Sequence, residues 1–150
     1  MASYKEGFRA VLGSWRNTLR WAAIAVPPVV AFSDNIGTIQ IVAGQSMAPT
    51  LNPNSLSPFL DVVWVSKIRD FQVDDVVLLA DPVRESPTRI IKRVAEISHD
   101  GSSVWVLGDN RDHSTDSRAF GSVPSVMVEG VVTAVIFPPW RVRSLVRFPS

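Results

Sequence analysis

Arg89 Ile90 Ile91 Lys92 Arg93 Val94 Ala95 Glu96 Ile97, then Ser98 His99 Asp100 Gly101 Ser102, then Ser103 Val104 Trp105 Val106 Leu107, is the stretch on which the fold turns. Two apolar runs flank a short polar segment containing Asp-Gly, the signal of an antiparallel hairpin. Working outward, further β-like runs at 38–43, 61–66, 75–80 and 126–137 are separated by turn clusters such as Asn52 Pro53 Asn54 and Asp81 Pro82. The pattern predicts a mainly β, antiparallel domain over 37–150. Asp61 Val62 Val63 and Asp75 Val76 Val77 open two runs alike, which is too little for a repeat.

Residues 1–36 read differently. Lys5, Arg9, Arg16 and Arg20 fall on one helical stripe and Phe8, Val11, Trp15 and Leu19 on its neighbour, with Glu6 the single acid. This is a basic amphipathic helix, suited to a solvated surface, a targeting signal or a membrane surface. Trp21 to Phe32 carries no charge. Alone it would span roughly 18 Å as a helix, and extended back to Leu12 it would cross a ~30 Å hydrocarbon core. A single N-terminal membrane-anchoring helix in contact with the lipid bilayer is expected. The cations precede it, which places everything after Asp34 on the far side from the N-terminus. The 46% hydrophobic content and mean hydropathy of +0.16 agree with a chain that meets lipid.

Composition excludes several classes. A net charge of +1 gives no nucleic-acid footprint. Without cysteine there is no disulfide and no thiolate chemistry, and two histidines do not make a histidine-rich metal site. No metal and no cofactor are expected.

Three segments could carry chemistry. Gly44 Gln45 Ser46 Met47 Ala48 Pro49 Thr50 presents one serine in a tight segment, and a serine hydroxyl needs a neighbouring base to become a nucleophile. Alternation puts Lys92 on the face of Ile90 and Val94, with Arg93 on the other. A lysine on an apolar face is desolvated, which favours the neutral amine and makes it a possible base for Ser46. From the strand alone, Lys92 could equally snorkel out of an edge. The third segment, Gly108 Asp109 Asn110 Arg111 Asp112 His113 Ser114 Thr115 Asp116 Ser117 Arg118 Ala119 Phe120 Gly121, has the composition of a solvated loop.

Gly-x-Ser-Met-x-Pro-Thr at 44–50, Lys-Arg at 92 and 93, and Gly-Asp-Asn-Arg-x-x-Ser-x-Asp-Ser-Arg at 108–118, in that order, resemble the type I signal peptidase family. Leu51 Asn52 Pro53, His113 Ser114, Phe120 Gly121 and Pro138 Pro139 Trp140 Arg141 are most similar to its mitochondrial inner-membrane members. The resemblance implies a serine endopeptidase in which Ser46 attacks the scissile carbonyl and Lys92 is the general base. Ser114 would orient the Lys92 amine, Asp116 would pair with Arg93 or Arg118, and Asp109 would support the loop. Substrate would lie as an extended strand beside Ile39 to Ala43, with Ile41, Val42, Ala43, Gly44 and Met47 shaping shallow pockets for small side chains. Some relatives place a second oxyanion donor, a hydroxyl, where this chain has Gly44. Relatives often have glycine at Asp74, and a longer insertion in place of the short hairpin between Ile97 and Val104. The implied partners are precursor polypeptides with cleavable sorting signals and a related peptidase subunit. The implied location is the mitochondrial inner membrane, with the β domain facing the intermembrane space.

Other readings use the same residues. A Ser-His-Asp hydrolase would take Ser46 with His99 or His113 and one of Asp109, Asp112 or Asp116. A self-cleaving Ser-Lys regulator would need a DNA-binding domain, and none is visible. A bacterial-type leader peptidase shares the third segment's pattern. A membrane-tethered β scaffold would keep the shape without the chemistry.

Overall fold

The structure, a computed structural model, describes residues 20, 21, 23–25, 27, 28, 32, 35–53, 59–84 and 88–146. The chain divides into two compact units, 1–35 and 36–150. The expected amphipathic segment at 3–19 lies outside the described residues, as does much of the expected anchor. Within the anchor, residues 20, 21, 23–25, 27, 28 and 32 are helical. Among the described residues, no helix is long and apolar enough to cross a membrane.

The second unit is an antiparallel sheet of eight strands: β1 (Gly37–Ile41), β2 (Val62–Ser66), β3 (Val76–Ala80), β4 (Arg89–Ile97), β5 (Ser103–Leu107), β6 (Val123–Pro124), β7 (Val128–Phe137) and β8 (Arg143–Ser144). Their order across the sheet is β1-β2-β7-β3-β4-β5-β6, and β8 adds to β7. The register slips between β2 and β7, between β3 and β7 and between β4 and β5. Such bulges increase local twist, and here they accompany a curled sheet. Successive residues of β3 point to opposite faces, and both faces are buried. Val76 and Leu78 join a cluster with Val63, Val65, Met47 and Leu51, while Val77 and Leu79 join Val94, Val104, Val106 and Val131. Each such side chain contributes on the order of 1.5–3 kcal/mol when fully buried.

Six strands fall within about two residues of the runs expected from the sequence. Residues 126 and 127, expected to open the last long strand, belong instead to a 3-10 turn, Ser125–Met127. The two-residue strands β6 and β8 are too short to show alternation and are set by their partners in β5 and β7. The third chemical segment contains a 3-10 turn, Arg111–His113, and a short helix, α1 (Ser117–Phe120), capped at its start by the Asp116 carboxylate.

Candidate active site

Ser46 sits on the loop that leaves β1, and an apolar and a polar anchor fix that loop. Met47 and Leu51 are 2% and 0% exposed in the first core cluster. The Leu51 amide donates to the Met47 carbonyl at 2.7 Å. Asn52, in the left-handed region at φ 47°, exchanges two hydrogen bonds of 2.8 Å with Asp61. Its side-chain amide also donates to the Val42 and Gly44 carbonyls at 2.6 and 3.2 Å. The buried Asp61 carboxylate is paired with Arg141 at 2.9 Å. Arg141 and Arg143 also donate to the Thr50 carbonyl, at 3.3 and 2.5 Å. The Asn110 amide donates to the Ser46 carbonyl at 2.9 Å, joining the serine loop to the third segment.

Lys92 lies in β4, between β3 and β5, and is 3% exposed. The sheet order removes the snorkelling alternative, which requires an edge. The Lys92 Nζ donates to Ser114 Oγ at 2.9 Å, and Ser114 helps to hold the Asp116 carboxyl low. Asp116, 1% exposed, also accepts from the Gly108 amide at 2.9 Å and from Arg118 Nε and Nη2 at 2.8 and 2.5 Å. Burial pushes the Asp116 carboxyl up, but these bonds outweigh it and hold the group well below the usual carboxylate range. Burial is the main cause that lowers the Lys92 amine below the ordinary lysine value; Arg118 adds to it, while Asp116 and Asp81 oppose it. Asp116→Ala is expected to lower stability by about 2 kcal/mol, because the Gly108 amide and Arg118 lose their acceptor. Thermal melting checks it, with a fall of several degrees expected.

Both proposed partners of Asp116 were open from the sequence, and the structure chooses Arg118. Arg93, on the opposite face of β4, instead forms a two-pronged pair with Asp109 at 2.8 and 2.6 Å. Burial raises the Asp109 carboxyl, and bonds from Arg93 and Thr50 more than reverse it. Arg93 also donates to the Asp74 carbonyl at 2.8 Å. Asp74 has φ 74°, which explains why glycine suits that position. Gly44 has φ 83°. A serine there would have to adopt a left-handed backbone, so the hydroxyl some relatives carry is not simply interchangeable with this glycine.

Ser46 and Lys92 line one cleft of about 220 Å³. Ile41, Val42, Ala43, Gly44 and Met47 all line it too. Ser114, Asp116 and Arg118 stand behind Lys92, and Arg93 with Asp109 braces the far side of the strand. Among the described residues no histidine lines this cleft. His99 lies in the hairpin turn, and His113 faces Asn110 at 3.4 Å. The Asn52, Asp61, Arg141 and Thr50 ties escaped the sequence reading. Asn52 figured there as a turn residue and a family mark, Arg141 only as a family mark, and Asp61 only as a strand opener. A carboxylate directly ahead of an apolar run was the available signal that something buried must neutralise it.

Comparison with known proteins places this chain among the peptidases. A family model described as signal peptidase, peptidase S26, matches residues 96–137. The chain is 34% identical over 141 residues to mitochondrial inner membrane protease subunit 2 of Mus musculus, an alignment covering 81% of this chain and 79% of that protein. It is 32% identical over 159 residues to the protein of the same name from Saccharomyces cerevisiae, covering 89% and 88%. Subunit 1 of that protease from Schizosaccharomyces pombe is 32% identical over 135 residues, covering 77% of this chain and 85% of its own length. The chain belongs to the signal peptidase family.

Proposed function

We propose that the protein is a membrane-bound serine endopeptidase that removes sorting sequences from precursors delivered to the mitochondrial intermembrane space, working with a Ser46–Lys92 dyad. The observation that carries this reading is a buried lysine sharing a cleft with Ser46 and hydrogen-bonded to Ser114. Ser114 accepts from Lys92 and so orients its amine. The neutral amine can then keep its lone pair for another proton. Ser46 Oγ attacks the scissile carbonyl as its proton passes to Lys92 Nζ, and the ammonium returns that proton to the departing amine. Water then attacks the Ser46 ester, giving its proton to Lys92, which passes it to Ser46 Oγ as the acyl–oxygen bond breaks and the carboxylic acid product leaves. The developing oxyanion is met by the Ser46 amide.

Strand β1 supports the substrate geometry, since among the described residues it is an edge of the sheet with one side unpaired, where an extended peptide could add. Residues 12–32 would supply the anchor, with the β domain in the intermembrane space, and a related subunit would be the partner, as the names of the relatives suggest. The test is cleavage of precursors carrying a small residue before the cut, by the full chain alone and with a related subunit, with the new N-terminus sequenced. A cut at one defined bond is expected. A folded protein that leaves every precursor intact in both settings would overturn the reading.

A further inference from the structure

Lys92 is reached from two sides. One is the cleft it shares with Ser46. The other is a second cavity of about 340 Å³, lined by Asp81, Thr88, Ile90, Lys92, Thr115 and Phe120 among others. Ile90 and Lys92, two apart on β4 and therefore on one face, border both spaces, while Ser46 borders only the first.

A base that deprotonates the nucleophile and then protonates the leaving amine must stand between the nucleophile and the departing chain. The substrate before the cut occupies the free edge of β1 and the first cleft, so the chain after the cut has to cross Lys92 away from Ser46. We propose that the second cavity is the subsite for the side chain that follows the scissile bond, and that it takes a bulky residue. This rests on the peptidase reading above. Ile90 and Phe120 offer apolar wall, the hydroxyls of Thr88 and Thr115 and the Asp81 carboxylate offer a polar rim, and the space exceeds that of the cleft on the other side. The enzyme thus selects a large residue directly after the cut.

Two experiments on the full-length protein, with its partner subunit if cleavage requires one, test the subsite. In the first, kcat/KM is compared for precursor peptides identical except for alanine, leucine or phenylalanine directly after the cut, using wild type and Thr115→Trp, a change at an exposed position. Wild type is expected to favour the bulky peptides by about 10-fold, and the tryptophan to erase most of that ratio. In the second, the uncleaving Ser46→Ala protein binds a peptide carrying the photo-crosslinker benzoylphenylalanine directly after the cut. Labelling is expected within 81–90 and 115–120. Cleavage with no size preference after the cut, or label confined to 40–47, overturns the subsite and leaves the peptidase standing. A wild type that cleaves no peptide removes both. The labelling reads the wild-type cavity even where Thr115→Trp fails to fold.

Discussion

Lys92→Met is expected to lower precursor cleavage by about 10⁴-fold while the protein remains folded. Ser46→Ala is expected to do the same, and the double variant to be no worse, because the two residues act as a unit. The pH dependence carries a second signature. The base must be neutral, and burial lowers its pKa, so wild-type kcat/KM should rise with pH and level off about a midpoint below the ordinary lysine value of 10.5. Stability should follow the same group. Between the lowered folded value and the unfolded one, the unfolded chain binds the Lys92 proton more fully than the native state, so wild-type stability rises with pH through that window. Methionine has nothing to titrate, so the melting temperature of Lys92→Met should gain on wild type as pH falls through the same window. Equal turnover in wild type, Ser46→Ala and Lys92→Met would sink the dyad and favour a scaffold.

Gly108→Ala tests the geometry with one added methyl group. Its Cβ would stand 2.5 Å from Ser114 Cβ and 2.7 Å from the Ser46 carbonyl oxygen, and closer still to Ser114 Oγ. None of these neighbours can yield freely. Ser114 is held by Lys92, and the Ser46 carbonyl by the Asn110 amide. We expect a loss of about 3 kcal/mol in stability and roughly 10 °C in melting temperature. At temperatures where the variant is still folded, kcat should fall by about 10²-fold. Both chemical groups remain present, so the loss would report their placement. Turnover at the wild-type level would show that Ser114 is not needed where it stands.

The parts of this fold that were legible in the sequence are those with a period. The long run of β4 and the alternation of β5, with Val104 and Val106 inside and Trp105 outside, announced both strands and the face that Lys92 takes. Strands β6 and β8 carry no period at all. Which aspartate meets which arginine was also hidden, because Asp109 and Asp116 lie on one segment and both could reach for Arg93. Alternation sends Arg93 and Lys92 to opposite faces of β4, and the folded segment then brings Asp109 to Arg93 while Asp116 pairs with Arg118. The tie between Asn52, Asp61 and Arg141 is long-range, and no local pattern encodes it. Gly108 was visible only as the first letter of a motif, and its reason is the close approach of two loops that are far apart in the chain.

The Ser46 loop is finished by residues far along the chain. Thr50 is gripped by Arg141 and Arg143, 91 and 93 positions further on, and Asp61 waits for the same Arg141. A protein with both arginines replaced could still form β1 and bury Met47, yet the Thr50 carbonyl and the Asp61 carboxylate would lose the partners that hold the loop. The arginine clasp makes the shape of the Ser46 loop depend on a segment from the other end of the fold.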